Sequence, residues 1–145
     1  EISMKNYLDN MNLVDLISEM HKILRNKVNN VWDKNNIEKI NQTESHILGI
    51  LGREKRTVAE LSRDINISRQ AAHKCVQNLI ERGYLTVESR EGSNKEKLVR
   101  LTVKGEKCND DMLFIKQKIE TEIIEEIGES SVEIIKLLLK KKWID

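Results

Sequence analysis

Between Thr57 and Gly105 the sequence reads TVAELSRDINISRQAAHKCVQNLIERGYLTVESREGSNKEKLVRLTVKG, and its caps, turns and strand formers leave few folds open. Thr57-Val58-Ala59-Glu60 is a capping box, in which the threonine hydroxyl accepts from the Glu60 amide and the glutamate accepts from the threonine amide. Val58, Leu61 and Ile65 recur at helical spacing, so one face of this short helix is apolar. Asp64-Ile65-Asn66 breaks the period, and Asn66 suits the left-handed backbone of a sharp turn. Ser68 is a good N-cap for a second helix running to about Arg82. Ala72, Cys75, Val76, Leu79 and Ile80 form its inner stripe, which turns Arg69, Gln70, His73, Lys74 and Gln77 outward. Gly83 stands where a helix ends on a residue of positive φ.

Tyr84-Leu85-Thr86-Val87 and Lys97-Leu98-Val99-Arg100-Leu101 are rich in strand formers. Gly92, Ser93 and Asn94 mark the turn between them, and Thr102 caps the next helix. Helix, turn, helix, strand, polar loop and returning strand is the order of a winged helix-turn-helix. In that module the second helix enters the DNA major groove and the loop reaches the neighbouring backbone or minor groove. The residue types fit: Gln70 can pair bidentately with adenine, while Arg69 and Lys74 can reach guanine or phosphate. The candidate DNA contacts are therefore Ser68, Arg69, Gln70, His73, Lys74 and Gln77 on the helix, with Arg90, Asn94 and Lys95 on the wing. Taken alone, the helix has an equally good account as the solvated face of an amphipathic segment; the flanking turn and wing weigh toward DNA. Glu88, Glu91 and Glu96 oppose phosphate binding unless they turn away.

Charge distribution agrees where the total does not. The chain carries a net charge of only +1, but residues 53–104 hold 12 Lys/Arg against 7 Asp/Glu, and the remainder 13 against 17. Positive charge collects on the segment with the DNA-reading pattern. Without proline and with 3% aromatic residues, the composition is that of a helix-rich soluble protein. No apolar run approaches the roughly 18 residues of a membrane span, and no secretory signal is visible, so a cytoplasmic location without a membrane partner is expected. His21, His46 and His73 fall on three different helices with no metal-ligand or paired-carboxylate spacing, which argues against an enzyme, a metal site or a cofactor. Cys75 lies on an inner stripe as a core thiol. Cys108 opens a later helix, where the helix dipole favours the thiolate and Asp110 and Asp111 oppose it.

The outer segments read as dimer-forming helices. From about Met4 to Asn30, Tyr7, Met11, Val14, Ile17, His21, Leu24 and Val28 line one stripe of a helix roughly 39 Å long. Met112, Ile115, Ile119, Ile123 and Ile127 mark a fifth helix, Gly128-Glu129-Ser130 a break, and Val132, Ile135, Leu138 and Leu139 a sixth. These stripes need a partner surface, and a second subunit is the economical one; packing within a larger helical monomer is the alternative. The expected fold is mainly α, with six helices and a small β-hairpin wing, and dimeric. Residues 1–36 are assigned to an N-terminal dimerisation helix, 37–105 to the DNA-binding lobe and 106–145 to C-terminal dimerisation helices.

The run Leu79-Ile80-Glu81-Arg82-Gly83-Tyr84-Leu85, the basic loop and Leu98-Val99-Arg100-Leu101-Thr102-Val103-Lys104-Gly105 resemble the multiple-antibiotic-resistance regulator (MarR) family of bacterial repressors. The likeness extends more weakly to the long first helix, the Asn41-Gln42-Thr43-Glu44 opening of a second, and the two C-terminal helices. It implies a sequence-specific transcription regulator, an obligate homodimer on pseudo-palindromic double-stranded DNA, often released by a small-molecule effector. It further implies an effector pocket between dimerisation helices and the DNA-binding lobe, for which Met20, His21 and Trp32 are candidates, each equally readable as core. Some members of the family sense peroxides through a cysteine near the first helix, and this chain has none there. Its wing also departs from the family's Asp-x-Arg element: Ser93-Asn94-Lys95 lacks the acid, and lysine cannot make a planar bidentate contact. Arg90 is then the candidate for the minor-groove role. The eroded wing leaves one competing function open, a winged-helix module that binds another regulator rather than DNA.

Overall fold

A computed structural model describes residues 7–89, 91–92 and 95–145. Among these, a helical turn at residues 7–9 precedes α1 (Leu13–Asn35), α2 (Gln42–Leu51), α3 (Val58–Asp64) and α4 (Arg69–Glu81). The strands β1 (Leu85–Ser89) and β2 (Lys97–Leu101) follow, then α5 (Val103–Ile127) and α6 (Glu129–Leu139). The chain divides into two compact units at Lys39/Ile40. α5 and α6 share the second unit with the hairpin rather than standing apart from it.

The first unit corrects the expectation of one helix running from Met4. α1 begins at Leu13, where the extended Asn12 accepts a hydrogen bond from the Asp15 amide at 2.9 Å and caps the helix. At 23 residues it is about 35 Å long. Val28 and Trp32 are its buried residues, and the Trp32 indole Nε1 donates to the Glu38 carbonyl at 2.9 Å. Leu13, Val14, Leu16, Ile17, Met20 and Ile23 are exposed.

Caps set the helix starts in the second unit. α2 and α3 each open on a full capping box, Asn41 with Glu44 and Thr57 with Glu60. Ser68 and Thr102 accept from the Ala71 and Gly105 amides to start α4 and α5. The core is built from Ile47, Leu48, Leu61, Leu79, Leu85 and Val99, all fully buried, where α2, α3, α4 and the hairpin meet. α5 packs on α2, and Met112, Ile115 and Ile119 are buried along it. Gly105 is required where α5 starts beside the hairpin, because a Cβ there would collide with the Tyr84 carbonyl.

The hairpin is antiparallel, in register from Leu85↔Leu101 to Ser89↔Lys97, so β1 starts one residue later than expected and runs on to Ser89. Arg56 adds a third edge to it: its amide donates to the Val99 carbonyl at 3.3 Å and its carbonyl accepts from the Val99 amide at 2.7 Å. At the other end Gly128, with φ +93°, turns the chain from α5 into α6. α6 buries Val132 and leaves Ile134, Ile135, Leu137, Leu138 and Leu139 exposed. Among the described residues no helix is long and apolar enough to cross a membrane.

Candidate nucleic-acid interface

α3, a turn and α4 form the helix-turn-helix. Asn66 takes φ +55°, the only positive-φ residue other than glycine among the described residues, and the Ile67 amide closes the turn on the Ser62 carbonyl at 3.0 Å. Such a conformation is uncommon outside glycine, and asparagine tolerates it better than most side chains. α4 then buries Ala72, Val76 and Leu79 against the lobe. Its other face carries Arg69, Gln70, His73, Lys74 and Gln77, all exposed. Residues 70, 73, 74 and 77 follow the i, i+3, i+4, i+7 spacing of a single stripe, so three hydrogen-bonding groups and a cation point together into solvent. The sixth helix candidate, Ser68, is exposed with its hydroxyl engaged by the Ala71 amide.

The wing candidates divide differently. Arg90 and Asn94 lie outside the described residues; Lys95 is exposed beside the hairpin tip. Of the three wing glutamates, Glu88 turns toward the hairpin base. It meets Lys55 Nζ at 2.6 Å and Arg100 Nε at 3.3 Å. The Lys55 hydrogen bond, with the charges of Lys55 and Arg100, holds its carboxyl below the usual glutamate range. Its negative charge is therefore spent on two basic side chains of the lobe. Glu91 and Glu96 are exposed.

Three of the lobe's charged groups escaped the sequence reading as structural elements. Arg56 is paired with Glu54, Glu60 and Asp64 at 3.0–3.2 Å, tying the third hairpin edge to α3. Glu44 is buried and paired with Arg82 at 2.9 Å. Lys104 donates to the Arg82 carbonyl at 2.8 Å and stands 4.5 Å over the buried Tyr84 ring. The Glu44–Arg82 and Lys104–Arg82 contacts span 38 and 22 residues, beyond the reach of local spacing, whereas Arg56 meets Glu60 at i+4.

The effector candidates are dispersed within the first unit. Met20 and His21 are exposed on α1 and Trp32 is buried with its indole N–H engaged. A cleft of about 670 Å³ in the second unit has other walls, including Leu51, Lys55, Glu88, Arg100 and Asn109. Cys75 is half-buried on the inner side of α4. Burial first, and then the charge of Glu44, push its thiol up to about 11, against the opposing influence of Arg82. A protonated thiol is a poor nucleophile at neutral pH. Cys108 is buried. Among the described residues no group of three or more His, Cys, Asp or Glu is placed to hold a metal ion.

Residues 39–93, which hold α2, the helix-turn-helix and β1, match the family model described as MarR family. A search of curated proteins finds no match. Among solved structures, E. coli MarR in its apo form is 17% identical, with a TM-score of 0.74 over 90% of this chain and 96% of that one. A MarR transcriptional regulator from Methanosarcina mazei Go1 is 20% identical, with a TM-score of 0.75 over 88% and 91%. Streptococcus pneumoniae FabT, solved in complex with DNA, is 15% identical, with a TM-score of 0.76 over 88% and 90%. At such identities the structural likeness is one of fold, and it extends well beyond the matched segment. Over residues 39–93 the chain is similar to the MarR family, and the fold built around that segment is shared with solved MarR regulators.

Proposed function

We propose that this chain is a DNA-binding transcription regulator that acts as a homodimer on a two-fold operator. The observation that carries the reading is the exposed stripe Gln70, His73, Lys74 and Gln77 on α4, presented by a doubly capped helix-turn-helix. Two facts support it: the segment bearing the stripe matches the MarR family, and the similar FabT was solved in complex with DNA. DNA binding is assigned to residues 37–105. Dimerisation is assigned to residues 1–36 and 106–145, whose helices expose aliphatic stripes that water alone covers in a monomer.

In the dimer the two α4 helices read successive major grooves, about 34–36 Å apart on one face of the duplex. Bound there, the protein represses by occluding a promoter. An effector that binds better to a dimer with a different α4 separation shifts the population away from the DNA-competent form.

Titration of a labelled 30-base-pair duplex across several salt concentrations tests the reading. Specific binding requires a duplex recovered from a randomised pool to outcompete a scrambled one, by a factor on the order of 10³ or more. Equal, weak binding to both duplexes would leave only electrostatic association.

A further inference from the structure

One buried carboxylate serves two helices of the lobe. Glu44 is 6% exposed and stands in the first turn of α2. Its Oε1 accepts from the Asn41 amide at 2.9 Å, completing the capping box that starts α2. Its Oε2 accepts from Arg82 Nη1 at 2.9 Å, 38 residues away at the C-cap of α4. The same guanidinium donates to Asn78 Oδ1 at 3.2 Å and lies 5.2 Å over the Tyr84 ring. Around it, Lys104 Nζ holds the Arg82 carbonyl and the Thr102 hydroxyl donates to the Gly83 carbonyl at 2.6 Å. The last turn of α4 is thus fixed on several sides, and Glu44 is its anchor on α2.

We propose that Glu44 is a positioning residue for the reading face of α4: through Arg82 it holds the helix's C-terminal end against the first turn of α2. The proposal rests on the DNA-binding reading given above. α4 is a rod of 13 residues, about 20 Å long, seated on the lobe through Ala72, Val76 and Leu79 and tied to α2 at its C-terminal end by Arg82. Loss of the Glu44 tie removes the restraint that α2 places on this end, and the resulting shift of the helix moves Gln70 to Gln77 relative to base edges while leaving their charge unchanged. Base readout depends on that alignment more than phosphate attraction does. The arrangement also makes α2's first turn, which starts two residues beyond the Lys39/Ile40 division, part of the recognition geometry. A disturbance that shifts this turn draws the carboxylate away from Arg82.

The side chain permits a clean separation. In Glu44→Gln the amide oxygen still accepts from the Asn41 amide, so the cap survives, but the amide nitrogen faces the Arg82 donors and the tie is lost. Asn41→Ala does the reverse, weakening the cap while leaving the carboxylate on Arg82. Both are assayed in the full chain against the duplex that the wild type recovers from a randomised pool and a scrambled duplex of equal length. Glu44→Gln is expected to lower the ratio of the two affinities by about tenfold, with scrambled-duplex affinity unchanged. Adding Arg82→Gln should restore much of the ratio, because two glutamines can pair. Asn41→Ala should lower Tm and keep the ratio. If Glu44→Gln fails to fold, Arg82→Lys keeps the charge without the planar guanidinium whose Nη1 meets both Glu44 and Asn78, and a reduced ratio is again expected. An unchanged ratio in the folded variant, or a parallel loss on both duplexes, overturns the role assigned to Glu44 alone. A wild type that recovers no preferred duplex overturns the DNA reading and this role with it.

Discussion

Gln70, His73, Lys74 and Gln77 face solvent because Ala72, Val76 and Leu79 do not; one helical period places both sets. That is why the exposed polar stripe was legible in the sequence: a capping serine fixed the phase and apolar spacing fixed the face. Replacing Gln70 by alanine is expected to cost about 1–3 kcal/mol of discrimination at one base pair, with nonspecific affinity little changed. Equal loss on specific and random duplexes, measured by anisotropy, would reassign Gln70 to phosphate positioning. The pairing of Glu44 with Arg82 was not legible, because no periodicity links residues 38 positions apart. Cys75 gives the burial of α4's inner side a chemical reporter. Its thiol is raised from 9.0 to about 11 in the folded chain, so the stability contributed by the protonated form is present below pH 9 and lost as pH rises through 11. Alkylation at Cys75, followed by mass spectrometry, should be slow in the native protein at pH 8 and accelerate toward pH 11, whereas the unfolded chain reacts readily at both. Rapid native labelling at pH 8 contradicts the burial.

At the scale of elements, the start of α1 and the hairpin base show where local signals mislead. Tyr7 and Met11 continue the apolar period of α1 across Asn12, so the stripe hides the cap that begins the helix at Leu13. The Arg56–Val99 bridge is one residue long and has no alternation to detect. Turn chemistry, by contrast, was plain in the sequence: Asn66, Gly83 and Gly128 all take positive φ where helices end or reverse. Gly105 is different in kind, since its φ is unremarkable and its need is for space. Gly105→Ala forces α5 off the Tyr84 carbonyl and should cost about 1–3 kcal/mol, read as a lower denaturant midpoint. At the wing, Arg90→Ala should reduce the salt slope of DNA binding by about one per subunit if a phosphate contact is lost. An unchanged isotherm for both Arg90→Ala and Lys95→Ala would remove the wing from the interface.

For the molecule as a whole, affinity should depend on assembly, because two linked lobes add their contacts at high effective concentration. Leu138 and Leu139 are 48% and 59% exposed on α6, and their joint replacement by lysine places unpaired charge on the surface assigned to the dimer. The lobe's core, with Leu61, Val76 and Leu79, lies elsewhere and should stay folded. Sedimentation and DNA titration of the same sample should show monomers with weakened binding, and a monomer of full affinity would refute the dimer mechanism. The sequence revealed the helices of this surface through their aliphatic stripes, but a stripe does not name its partner, and the exposure of α6 is what makes the question concrete. The hairpin carries a last consequence, for how such a protein diverges. Its base is committed to the fold by the Arg56 bridge, the Glu88 cluster and the crowding at Gly105, while the sequence between the two residues of the final rung, Ser89↔Lys97, is polar or glycine throughout. Loops of this kind absorb insertions at small entropic cost. The wing can thus lengthen, shorten or exchange its charges between relatives as an interchangeable tip, which gives new DNA contacts an evolutionary route that never touches the scaffold.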